Sequence, residues 1–120
     1  MPKQNVEVVV IEWLPDVVGV EWPVFGDQPK TRPEKYVLVD RTGGPRESMV
    51  LDQAEILIEV YHKTSRLEAS ELANIIADAA PSLLQTENIT RAKVNSVIKL
   101  DDTIAQFNRY QVYCDIFCRR

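Results

Sequence analysis

The chain has 120 residues, 45% apolar and 27% charged, with a net charge of −4. That length fits one domain spanning 1–120, with enough mass to bury a core without a metal or disulfide. The acidic balance argues against gripping nucleic acid by phosphate neutralisation, which wants a basic face, though not against DNA sliding past. No stretch approaches the ~20 apolar residues of a membrane span. The start, Met1-Pro2-Lys3-Gln4-Asn5, is not a signal peptide, because Glu7 and Glu12 interrupt the apolar run after it. Two cysteines and no export signal make a reducing cytoplasm the default compartment.

The first element is "NVEVVVIEWLPDVV", residues 5–18. Val6, Val9, Val10, Trp13, Leu14 and Val17 recur at helical spacing, Asn5 suits an N-cap and Glu7 suits the first turn. The β-branched run Val8 to Ile11 pulls toward strand, but the spacing predicts a short helix. Pro15 should end it or mark its last turn.

Residues 19–34 hold three prolines and two glycines, which is loop composition. They also hold Trp22, Val24 and Phe25. Either the loop caps the open end of the core, or it offers an apolar patch to a partner.

Lys35 to Arg41 reads as a strand, followed by the insert "TGGPRES" and a long strand from Met49 to His62. In the long strand Ala54, Ile56, Ile58 and Val60 should face the core. Gln53, Glu55, Leu57, Glu59 and Tyr61 should face solvent or a neighbour. Next, Ser65 and Glu68 form a capping box, opening a helix whose stripe is Leu67, Leu72, Ile75, Ile76 and Ala79. Pro81 closes it, with an irregular turn in "SLL".

Ile89 to Asp101 is a third strand, with Ala92, Val94, Ser96, Ile98 and Leu100 on one face. Asp101 to Thr103 is a turn. Gln106 to Arg119 is a fourth strand, with Tyr110, Val112, Cys114, Ile116 and Cys118 facing inward. Phe107, Arg109, Gln111, Tyr113, Asp115 and Phe117 face the other way. The expected fold is α+β: a mainly antiparallel four-stranded sheet with helices packed on one face, in the order α-β-β-α-β-β.

No reactive constellation emerges. His62, the only histidine, reads as a partly exposed strand end with no nominated nucleophile. Cys114 and Cys118 would lie ~13 Å apart along a strand, too far for a disulfide, and read as buried thiols. Nothing completes a zinc or calcium shell, and Asp101-Asp102 reads as a solvated turn. "RTGGPRES" lacks the Lys-Ser/Thr and the helix of a phosphate loop. No enzyme and no cofactor is expected. Apolar groups on both sheet faces (Leu57, Tyr61, Phe107, Tyr113 and Phe117 on the outer one) suggest contact with another subunit.

The order and texture of the chain resemble the tail terminator (tail completion) proteins of long-tailed bacteriophages. The resemblance rests on the helix ending "EWL" (12–14), the Pro-rich lead into "YVLVDRTGG" (36–44), and "AEILIEVYH" (54–62) running into "TSRLEASELANIIADAA" (64–80). The closing "FNRYQVYCDIFCR" (107–119) completes it. The resemblance implies a virion protein assembled in the host cytoplasm. It would form a ring, typically of six subunits, on the head-proximal end of the tail tube.

Such a ring stops tube polymerisation and meets the head connector, while double-stranded DNA passes through its centre without specific binding. Partners would be further copies of the chain, the tube protein and a connector or neck protein, with no membrane involved. No catalytic residue carries over. Contact regions carry over as Arg41 to Ser48, with Arg41 and Arg46 as polar contacts, and Glu21 to Pro29, with Trp22 and Phe25. A mobile solvent loop of no consequence is the competing reading of 41–48. Two other readings stand beside the terminator: another head–tail neck adaptor, and a cellular ferredoxin-like ligand-binding regulatory domain.

Overall fold

The sheet grows outward from its longest antiparallel pair. In the computed structural model, which describes residues 6–43, 51–86 and 88–119, β3 (Leu51–His62) pairs with β5 (Asn108–Arg119) over twelve residues without a slip. Alternation accounts for that register. Ala54, Ile56, Ile58 and Val60 lie opposite Ile116, Cys114, Val112 and Tyr110, and a slip of one would turn every apolar group outward. β2 (Lys35–Gly43) pairs antiparallel with β3, and β4 (Ile89–Lys99) antiparallel with β5.

A fifth strand corrects the four-stranded, all-antiparallel expectation. β1 (Val24–Phe25) pairs parallel with β2 at Val37 and Leu38, giving the mixed order β1-β2-β3-β5-β4. It was hidden inside the Pro-rich segment, since two residues carry no readable period. Its alternation sends the chain around the sheet edge. Trp22 and Val24 join the core under the helices, and Phe25 joins the opposite face.

Both helices pack on one face, as expected. α1 (Val6–Val18) buries Val6, Val9, Val10, Leu14 and Val18, so packing overrides the strand preference of its valines. Pro15 begins the last turn, and Gly19, at φ 83°, ends the helix with its N–H on the Pro15 carbonyl (3.1 Å). The expected cap Asn5 lies outside the described residues. Trp13 ties α1 to the 3-10 turn Ala80–Gln85 by an Nε1–H bond to Ser82 Oγ (2.9 Å). No helix among the described residues is long and apolar enough to cross a membrane.

α2 (Arg66–Ala79) departs from its expected stripe. Ala69, Leu72, Ala73 and Ile76 are buried, whereas Leu67 and Ile75 are 62% and 50% exposed. The alanines permit close approach to the sheet, so the helix turns its small-residue side inward. The cap is half of what the sequence suggests. Ser65 Oγ accepts from Glu68 N–H (3.1 Å), but Glu68 does not return the bond. Instead His62, 4% exposed rather than a partly exposed strand end, accepts at Nδ1 from Thr64 N–H (3.2 Å) and Ser65 N–H (2.9 Å). Its Nε2 meets Glu68 at 2.5 Å.

In β4 the expected face is broken. Val94 pairs with Cys114 but Ser96 pairs with Tyr113, so Asn95 is an extra residue in the ladder. The bulge flips the alternation. Ala92 and Val94 lie on the helix side, while Ser96, Ile98 and Leu100 turn to the other.

Candidate interaction surface

The outer face of the sheet holds a second core, which changes the meaning of three expected contact residues. Tyr36 and Tyr61 stack at 4.5 Å and 6°, and Phe107 meets both edge-on at 5.8 and 5.9 Å. Phe25, half-buried, meets Tyr36 at 5.9 Å. Tyr61 and Phe107 are 2% and 5% exposed, and Leu57 is buried as well. The chain therefore covers this half of the face itself. Arg32 lies over Phe107 (5.5 Å) and Tyr61 (5.9 Å) while binding Asp102 Oδ2 at 2.8 Å, which straps the segment after Phe25 across the rings. Tyr36 Oη donates to Gln28 Oε1 at 2.6 Å.

Burial, reinforced by Tyr61, pushes the Tyr36 hydroxyl up to about 12. Burial, reinforced by Asp115, pushes the Cys114 thiol up to about 12. Raised values favour the protonated native state, so their contribution to stability is whole below the unfolded values of 9.0 for the thiol and 10.0 for the phenol. It is lost as pH climbs through the folded values. The urea midpoint should fall steadily from pH 9 toward pH 12, with Tyr36 absorbance at 295 nm appearing only as the chain unfolds. An unchanged midpoint at pH 11.5 would contradict this.

The other half of the outer face is open. Tyr113 and Phe117 are half-buried there, with Arg91 over the Phe117 ring at 5.7 Å. Asn95 donates to Asp115 Oδ2 at 2.7 Å, and Asp115 Oδ1 has no hydrogen-bond partner among the described residues. Glu59, buried rather than solvent-facing, accepts from Gln111 Nε2 (2.9 Å) and lies 3.4 Å from Arg109. Trp22 belongs to the helix-side core. Arg41 donates to the carbonyls of Gly43 and Gln53, each at 3.3 Å, so it clasps the base of its own hairpin. Arg46 and most of the insert lie outside the described residues. The expected contact residues thus divide among two cores, an open half-face and a hairpin base.

The clearest outward feature is one that the expected single face of the third strand did not reveal. At the β4–β5 hairpin Ile98 and Leu100 are 44% and 53% exposed, and Ile104 is 97% exposed at the tip. The Asn95 bulge turns Ile98 and Leu100 to this side, and Ile104 stands on the turn between the strands. The loop is held, and Asp101-Asp102 is far from a solvated turn. Asp102 exchanges backbone bonds with Phe107 (3.1 and 3.0 Å) and accepts from Ala105 N–H (3.1 Å). Asp101 takes Lys99 Nζ (2.6 Å) and Arg109 N–H (3.2 Å). Arg32 holds the Asp102 carboxyl below its ordinary value, and Lys99 does the same for Asp101. Gln106, at φ 60°, makes the turn without a glycine. These aliphatics are thus presented on a braced frame. Among the described residues, no three His, Cys, Asp or Glu side chains are grouped to hold a metal ion. Compared with known proteins, the chain matches no family model and no curated protein.

Proposed function

We propose that this is a non-enzymatic assembly protein of the phage tail terminator type. It forms a ring, six-fold by the resemblance, on the head-proximal end of a tail tube. There it stops tube growth and presents a surface to the head connector, with DNA passing through. The observation that carries the reading is the braced, exposed aliphatic hairpin of Ile98, Leu100 and Ile104. A ring needs two unlike patches on each copy, because its contacts are heterologous. The hairpin supplies one. The open half-face with Tyr113, Phe117 and Arg91, on the same side of the sheet, would supply a second, aromatic and cationic where the hairpin is aliphatic.

Light scattering of the purified protein, alone and with short tail tubes followed by electron microscopy, tests this. Rings, or tubes that gain a cap and stop lengthening, are expected. The double variant Leu100→Glu, Ile104→Glu should keep its melting temperature within a few degrees, since surface changes cost about ±0.5 kcal/mol each, yet lose capping. A stable dimer that ignores tubes would overturn the reading.

A further inference from the structure

A separate groove of about 200 Å³ opens on the helix side of the sheet, where the end of α1 meets α2. Its floor is apolar, formed by Trp22, Leu72 and Val18, all at most 9% exposed. Its rim is acidic: Glu21, Glu68 and Glu71 stand against one cation, Lys35. Two of those acids are engaged, Glu21 with Lys35 at 3.4 Å and Glu68 with His62. Glu71 has no charged partner among the described residues. α1 ends at this groove with no basic residue in its last turn, so its C-terminal carbonyls add negative potential. Lys35 already places its ammonium over the Trp22 ring at 5.1 Å, the kind of contact a cationic guest would repeat.

Beside the groove, α2 presents Leu67, Glu71 and Ile75 at four-residue intervals, so they form one row on the helix surface, and Glu71 and Ile75 of that row also line the groove. Leu67 and Ile75 are large aliphatic groups left half or more exposed on either side of the Glu71 carboxylate. Apolar–acidic–apolar at helical spacing is the complement of apolar–basic–apolar at the same spacing. We propose that this groove seats a basic amphipathic helix of a partner protein. An Arg or Lys of that helix lies against Glu71, and its aliphatic neighbours pack on Leu67, Ile75 and the edge of Trp22. The groove is on the opposite face of the sheet from the hairpin and aromatic surfaces, so the ring reading and this one stand or fall separately.

The probes are two synthetic helical peptides of equal length, one with leucines and lysines at four-residue spacing and one with glutamates replacing the lysines. The full chain carrying Trp13→Phe leaves Trp22 as the sole indole reporter. The lysine peptide should shift Trp22 emission saturably and bind less tightly as salt rises. Affinity should fall about tenfold in Glu71→Lys and in Ile75→Ser. Both replace exposed side chains, and unchanged circular dichroism verifies their folds. Calorimetric titration of the unaltered chain repeats the comparison without Trp13→Phe. Equal response to both peptides, or undiminished affinity in both variants, would overturn the proposal. So would a Trp22 shift driven by the chain's own concentration, which would assign the groove to a second copy.

Discussion

Replacing Phe107 with alanine should destabilise the isolated chain by about 3–5 kcal/mol, the range for a buried aromatic truncated to a methyl group. The ring is 5% exposed and touches Tyr36 and Tyr61 edge-on beneath the Arg32 strap. Its removal opens a space that the stacked tyrosines cannot fill without leaving their own contacts. The measurement is urea unfolding at two protein concentrations well apart. If Phe107 serves the chain's own second core, the loss is the same at both. If it serves a subunit contact, the dilute chain barely changes and only assembly suffers. A loss under about 1 kcal/mol at low concentration would mean that the outer aromatic cluster contributes little to the fold.

His62→Ala should cost about 2–3 kcal/mol for a different reason. Two backbone N–H groups at the mouth of α2 point at Nδ1, so the imidazole proton resides on Nε2, facing Glu68. Deleting the ring leaves the Thr64 and Ser65 donors without their acceptor, and each such loss carries about 1–3 kcal/mol when water cannot replace it fully. It also removes the edge contact with Trp22 at 5.8 Å. Two companions separate the causes. His62→Asn offers a carbonyl acceptor and should recover part of the loss. Glu68→Gln should change stability by under about 1 kcal/mol, because that side chain is 53% exposed and water screens it. Amide exchange at Thr64 and Ser65 should speed up in the alanine variant alone. A Glu68→Gln loss as large as that of His62→Ala would show the Nε2–H bond to the Glu68 carboxylate, and not the Nδ1 acceptor, to be the stabilising element.

Strong alternation was legible. β3 and β5 could be phased residue by residue, because Ala54 to Val60 in one and Tyr110 to Cys118 in the other keep one face apolar over at least four alternate positions. The helix cap at Ser65 was legible too, but its partner was not. A histidine three residues upstream can supply the acceptor only because β3 ends where α2 begins, which is a tertiary fact. The bulge at Asn95 carries no glycine or proline to announce it, so Ile98 and Leu100 read as sharing a face with Ala92 and Val94 when they turn to the opposite one. α2 misled through its alanines. Leu67 and Ile75 have the greater hydrophobicity, yet Ala69 and Ala73 have the smaller girth, and close packing on the sheet favoured girth. The outer aromatic residues were assigned to a partner because nothing local reveals that Gln28 and Arg32 fold back over them.

The strand order has a consequence for how the protein is made. β5 lies between β3 and β4, though it is the last of the strands to be synthesised. While a ribosome is still at work, β3 has emerged with one flank unpaired, and β4 has no strand to dock on. Half the sheet waits for residues 108–119. During that interval the nascent chain exposes β3, whose alternating apolar face and bare backbone edge are what other unfinished chains would pair with. Closure then comes in one late step, in which a single strand zips against two neighbours at once. Such long-range pairing is slow. Expression yield should therefore respond more sharply to chaperone supply and to synthesis rate than the stability of the finished fold would suggest.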